Sequence, residues 1–355
     1  MILTNSPYYL TIPWLSPSSG TTPDKYILEL YSWTGLKASV PSTPLYKIEN
    51  KNPLSRLGNS EVNISNYIND VLTIALTKGT TTSVIDGASS VWVKTQVIYY
   101  IGGVAQSPEF VSTELAIRGY GYGIEGKNTG IPSNNVLSSS SIVNVSKTSQ
   151  FNLAFKVSES VATNITIISY PLNSINYSVT IPATTNSNEL IKKAYVKCSE
   201  ALTDTYIEVK KDTVLIHTLN IKEELRYDPI DVWFINKFGQ LYTMTFFKEL
   251  ITSLKVKSEN YESSNGQPID GVHQNVIYNK FGNTEFKAKT GFISEENNEL
   301  IKQLLLSDKV WILQGDLFNP VNVTSSSVEY KSRQKDRLLD YEINFDYAYS
   351  EINDI

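Results

Sequence analysis

Val232-Trp233-Phe234-Ile235-Asn236-Lys237-Phe238-Gly239-Gln240-Leu241-Tyr242-Thr243-Met244-Thr245-Phe246-Phe247 most constrains the fold of this chain. Aromatic and β-branched residues fit a pleated surface, while Asn and Gly fit a tight reversal. The stretch therefore reads as two strands around a short turn at Asn236–Gly239. The wider composition agrees. Tyrosine is abundant, at 22 residues, and Thr, Asn and Ser fill much of the rest. The expected fold class is mainly β: tandem β-sandwich or β-barrel-like domains with one or two short helices.

At roughly 100–200 residues per domain, 355 residues imply two or three domains. Residues 1–120 read as a β domain with one helix. Tyr26–Trp33 alternates Tyr26, Leu28, Leu30 and Ser32 on one face with Ile27, Glu29, Tyr31 and Trp33 on the other. Leu45–Glu49, Val91–Tyr100 and Phe110–Arg118 are further strands. Ile64, Tyr67, Ile68 and Val71 fall on one helical face, with Ser65 or Asn66 as cap. Gly119–Gly126 interleaves glycine with tyrosine, and residues 121–141 form a linker loop.

Residues 142–229 carry six strand candidates: Phe151–Val157, Asn164–Tyr170, Tyr177–Ile181, Ala194–Cys198, Thr205–Val209 and Val214–Leu219. Lys210-Lys211-Asp212 is a hairpin turn, and the spacing suggests an immunoglobulin or fibronectin type of sandwich. Asn188–Lys197 also admits a helical reading; strand plus loop is preferred. Residues 230–355 form the third domain. A polar link and a second strand pair follow the opening hairpin. Then comes a helix, Ser294–Ser307, with Ser294 as N-cap, Glu295 and Glu296 at its positive end, and Leu300, Ile301, Leu304 and Leu305 as its stripe. Asn236-Lys237-Phe238-Gly239 recurs as Asn279-Lys280-Phe281-Gly282, which reads as an echoed hairpin or as coincidence. In the last strand Tyr341, Ile343, Phe345, Tyr347 and Tyr349 share one face, and Asp340, Glu342, Asn344 and Asp346 the other.

Several function classes find little support. The net charge is −5, and no basic run suggests phosphate contacts, so no specific nucleic-acid partner is expected. One cysteine, Cys198, allows no intrachain disulfide, and with His217 and His273 it makes a poor zinc set. Neither a signal peptide nor a transmembrane helix is evident, so no membrane insertion is expected. Gly121-x-Gly123-x-x-Gly126 matches a dinucleotide fingerprint in letters, but Lys127–Pro132 cannot open the helix that motif requires. Asp340, Glu342 and Asp346, or Asp228 with Asp231, could pair for glycoside hydrolysis; a solvated face is the simpler reading. Neither histidine neighbours a nucleophile elbow. The chain is expected to be no enzyme and to hold no cofactor or metal.

The aromatic residues are the better lead. Trp14, Trp33, Tyr120, Tyr122 and Trp233 read as edge or loop residues and as candidate assembly contacts. Core packing is the competing reading for each.

The 232–247 hairpin, the Ser294–Ser307 helix, Trp311-Ile312-Leu313 and the closing Tyr341–Tyr349 strand together resemble the C-terminal part of virion tail and baseplate proteins of phages infecting Bacteroidota. Trp33-Thr34-Gly35-Leu36, with the helix at Ile64–Leu72, is similar to the opening of such proteins. The resemblance is architectural and transfers no functional residue. It implies a virion structural protein that forms a homo-oligomeric ring (tail hub, adaptor or distal tail tier) and contacts other tail proteins. In that setting Met1–Pro23 and Gly119–Ser141 are expected to be assembly elements. The alternative function is a surface glycan-binding β-sandwich module.

Overall fold

The computed structural model describes all residues except 15–19, 53–57, 75, 77, 88–89, 126–131, 133, 159, 184–189, 263–270, 272, 316, 326–337 and 351–355. Within them the chain is mainly β, with two short helices, Ser65–Asn69 and Asn298–Leu305. Pro17, Pro53, Gly126, Asn188 and most of Lys127–Pro132 lie outside the described residues.

The N-terminal sheet is built on Lys25–Trp33, which pairs antiparallel with Tyr46–Lys51 on one side and Ser90–Ile101 on the other. Glu109–Ile117 adds to Ser90–Ile101, and Ile2–Leu3 closes that edge in parallel with Ala116 and Ile117. The two faces of Lys25–Trp33 serve two cores. Tyr26, Leu28 and Leu30 pack with Trp14, Ile64 and Ile68, while Tyr31 and Trp33 enter a larger core shared with the rest of the chain. Trp33-Thr34-Gly35-Leu36 acts as a clasp. Trp33 and Trp92 face each other across the sheet, and their indole nitrogens donate to Leu36 O at 2.8 Å and Gly35 O at 3.1 Å.

The helix after Ile64 is only five residues long. Neither Ser65 nor Asn66 caps it by a side-chain bond; Asn63 Oδ1 instead accepts from the Ser65 amide at 3.2 Å and the Ser65 hydroxyl at 2.7 Å. The acceptor for this first-turn amide thus sits two residues before Ser65, because Ser65 turns its hydroxyl backward.

The middle region is a sandwich. Its larger sheet has five strands, ordered Ile142–Ser146, Val214–Lys222, Tyr206–Lys211, Thr163–Tyr170, Asn176–Ile181. The smaller has three, Gln150–Lys156, Ile191–Lys197 and Ser83–Asp86. The last of these comes from the N-terminal region and pairs antiparallel with Ile191–Lys197. Ile165, Ile167, Ile207, Val209 and Leu219 of one sheet and Phe151, Leu153, Phe155 and Val196 of the other contribute to one buried cluster. Residues 191–197 form a strand, not a helix.

The C-terminal sheet has seven strands, ordered Leu241–Phe246, Ile230–Ile235, Val310–Gln314, Leu317–Val323, Glu342–Tyr347, Asn275–Lys289, Ile251–Glu262. The opening hairpin pairs Ile230–Ile235 with Leu241–Phe246, and every residue from Asp231 to Phe247 is buried. Asn236 fixes its turn: Oδ1 accepts from the amides of Phe238 and Gln240, both at 3.0 Å, and Gly239 takes φ +67°. The recurrent Asn279–Gly282 makes no such turn; it lies within the strand Asn275–Lys289. Helix Asn298–Leu305 follows a 3₁₀ turn, Glu295–Asn297, and buries Leu300, Ile301 and Leu304. Ser294 precedes that turn without a side-chain cap bond, and the helical segment ends at Leu305, short of Ser307.

Candidate functional site

The last two strands of the C-terminal sheet leave the body of the molecule. Ile251–Glu262 and Asn275–Lys289 pair antiparallel along their whole length. The neighbouring strand Glu342–Tyr347 reaches only Glu285–Lys289. From Leu254 to Glu262 the outer strand therefore belongs to a two-stranded arm, about 30 Å long at 3.4 Å per residue. All twelve residues of the outer strand are exposed. Leu254 is 62% exposed, Val256 54%, Tyr261 52% and Tyr278 64%, so a set of large apolar side chains stands in water. Leu254 faces Thr284 and Val256 faces Gly282, on the same face as Thr252 opposite the buried Phe286. The apolar face of the sheet thus runs out along the arm past the end of the core.

The opposite face carries most of the charges of the outer strand beside Ile251, Tyr261 and Phe281. It aligns Lys255, Lys257 and Glu259 with Asn283, Phe281 and Asn279. Lys255 Nζ lies 2.7 Å from Glu285 Oε1, and this pairing raises the lysine pKa. Glu285 faces Asp346 on the next strand, and Asn283 Nδ2 donates to Asp346 Oδ2 at 3.1 Å. These residues, with Asn322, Tyr347 and Tyr349, line a groove of about 510 Å³ at the foot of the arm. The Tyr347 and Tyr349 rings lie 5.2 Å apart, and Tyr349 is 48% exposed. Of the polar face expected of the last strand, Asp346 alone lines this groove. Glu342 lies elsewhere, within 3.3 Å of Lys289, and Asp340 accepts from the Gly291 amide at 3.0 Å.

The five aromatic candidates do not form a surface. Trp14 is 5% exposed and packs on Tyr26 with the rings tilted and their centres 5.0 Å apart; Trp33 is 8% exposed beneath its clasp; Trp233 is wholly buried, 5.0 Å from Phe318. Their reading as exposed contacts is corrected to core packing: Trp33 and Trp233 lie in strands covered on both faces, and Trp14, in a bend after Tyr9–Pro13, turns inward. Tyr120 and Tyr122 are half-buried against the C-terminal region. The Tyr122 hydroxyl donates to Glu299 Oε1 at 2.6 Å, and Lys302 Nζ lies 3.3 Å from its ring centre. Burial and Glu299 push the Tyr122 pKa up, and burial pushes Tyr120 up to about 12. The described part of Met1–Pro23 is no free arm either, since Ile2, Leu3, Leu10 and Ile12 are core residues. Within Gly119–Ser141, Val136 and Leu137 are buried and Asn236 Nδ2 donates to Leu137 O at 2.8 Å.

The titratable groups of the interior are packed away from the groove. Asp231, in the opening hairpin, accepts from the hydroxyls of Ser149 and Thr245, both at 2.7 Å, and from the Gln150 amide at 3.2 Å. Burial raises its pKa despite those donors. Burial also pushes the Cys198 thiol up and the His217 imidazole down to about 3, so at neutral pH His217 is uncharged. The His217 ring stacks on Phe151 at 5.1 Å.

The arm was visible in the sequence only as a second strand pair. Its protrusion has one signal: Ile251–Glu262 places lysine, serine or glutamate on both faces, so that its few apolar residues form no continuous alternation against a core. Comparison with protein-family models, curated proteins and solved structures returns no match. Fold and groove therefore define the chain as a multi-sheet β protein with a projecting hairpin.

Proposed function

We propose that this chain is a structural subunit of a phage tail, assembling into a multi-subunit ring of the hub, adaptor or distal tier, and that the arm is its docking element. The observation that carries the reading is the wholly exposed outer strand with its wet Leu254, Val256 and Tyr261. A two-stranded hairpin is marginal in water, and a long unpaired edge is a template for another strand. An assembled particle supplies that strand, and a ring does so for every subunit at once. The buried tryptophans stabilise the body of each subunit in this reading, and the arm replaces Met1–Pro23 and Gly119–Ser141 as the assembly element.

Electron microscopy of the purified chain at high concentration tests it, alongside a variant in which residues 254–284 are replaced by a short Gly/Ser turn. Closed rings that disappear in the shortened variant support the reading. Rings of equal yield in both would remove the arm from it.

A second reading, carbohydrate binding, is favoured by the groove alone. Tyr347 and Tyr349 offer ring faces, and Asn283, Asn322, Glu285 and Asp346 offer hydrogen-bond partners to hydroxyls. A glycan-dependent rise in Tm that is lost on Tyr349→Ala would move this reading ahead.

A further inference from the structure

The outer arm strand reads Ile251-Thr252-Ser253-Leu254-Lys255-Val256-Lys257-Ser258-Glu259-Asn260-Tyr261-Glu262. Its charge inverts about Ser258: both lysines lie toward the body and both glutamates toward the tip. Lys255 is already matched by Glu285 across the groove, at 2.7 Å. Lys257 and Glu259 are different. Opposite them the inner strand carries Phe281 and Asn279, so neither meets a counter-charge across the arm. The free edge of the strand is thus self-complementary.

We infer that this edge binds a second copy of this chain, outer strand to outer strand, antiparallel about a two-fold axis at Ser258. The inference rests on the arm being the docking element and names what docks there.

Geometry leaves few registers. Residues directly opposite in an antiparallel pair point to the same side of the sheet. A two-fold axis relating two such strands must stand perpendicular to the sheet, so odd-numbered residues face odd-numbered ones and the axis passes midway between one residue and its own copy. An axis at Lys257 sets two lysines against each other, and an axis at Val256 sets Lys255 against Lys257. An axis at Glu259 opposes two carboxylates. Like charges directly opposite are destabilising. An axis at Ser258 places Lys257 of each copy opposite Glu259 of the other, and Lys255 opposite Tyr261, a cation beside an aromatic ring. Val256 then meets Asn260 and Leu254 meets the stem of Glu262. The product is a four-stranded sheet spanning two molecules, in which both outer strands gain the neighbour that a lone hairpin lacks. A two-fold contact of this kind joins subunits in pairs, so a ring closed through it alternates it with a second contact between the bodies.

The test is sedimentation velocity of the full chain at low salt, with Lys257→Glu, Glu259→Lys and the two variants mixed. Both residues are exposed, so circular dichroism and Tm are expected to be unchanged. Each single variant replaces two attractive pairs by two repulsive ones and should weaken self-association about 10–100-fold. The mixture has opposite charges at both positions and should recover it. Wild-type chain that stays monomeric at high concentration, or single variants that associate as the wild type does, would overturn the two-fold contact. The shortened-arm variant separates the two ideas. Association lost without the arm but indifferent to the charge reversals overturns this register and leaves the arm as a docking element for another chain. Association as strong without the arm as with it overturns both.

Discussion

Gly239 lies against Arg118 so closely that a Cβ added to it would stand 2.1 Å from the Arg118 carbonyl oxygen. The first residue closes the turn of the C-terminal hairpin, and the second follows the last strand of the N-terminal sheet. Two regions distant in sequence therefore meet backbone to backbone. Gly239 also takes φ +67°, where L-residues are disfavoured. Gly239→Ala combines both penalties and should cost about 3 kcal/mol or more. Chemical denaturation should show a lower midpoint, whereas Gly123→Ala, with open space around its Cβ position, should stay within about 1 kcal/mol of wild type.

His217 makes the protein acid-sensitive. Its folded-state pKa, about 3, lies below the ordinary 6.5 because the ring is buried. The unfolded chain therefore takes up the proton first as pH falls. The stabilisation is whole above about pH 6.5 and is lost progressively toward pH 3, amounting to about 4–5 kcal/mol over that window. His217→Phe keeps a ring on Phe151 and removes the proton site. Its Tm should fall less between pH 7 and pH 4 than that of the wild type.

Tyr122 ties the loop after the N-terminal sheet to helix Asn298–Leu305 through Glu299. Tyr122→Phe removes one hydrogen bond to a charged partner and leaves the ring beneath Lys302. A loss of about 1–2 kcal/mol is expected in equilibrium unfolding, with self-association unaltered.

Leu254 and Val256 separate folding from assembly. Both side chains are more than half exposed, so replacing both by Ser should change stability by less than about 1 kcal/mol. If the arm docks, light scattering should show the oligomer weakened. Unchanged scattering would mean that these side chains stay wet in the assembly.

Most strands were legible in the sequence because their side chains alternate against a core. Tyr26–Trp33, Val91–Tyr100, Asn164–Tyr170 and the 232–247 hairpin differ from the observed strands by one or two residues at their ends. Burial was less legible. Sequence shows which side of a strand Trp233 and Trp33 are on, but not what lies over that side. Tyr195 and Phe318 cover Trp233, and they come from strands distant in the chain. Ser83–Asp86 is hidden in the sequence for a related reason: four residues with little periodicity become a strand only when Ile191–Lys197 presents an edge. The groove could not be read at all, since Lys255, Glu285 and Asp346 meet only through the register of three strands.

That borrowed strand, Ser83–Asp86, bears on how the polypeptide is made and inherited. During synthesis the segment leaves the ribosome more than a hundred residues ahead of the strand that receives it, so the first region waits, with one stretch unanchored, until residue 197 has emerged. A gene fragment cut at the glycine-tyrosine loop would encode a sandwich short of a strand. The β regions of this chain are consequently not interchangeable cassettes, and recombination that preserves the fold must carry residues 83–197 as one block.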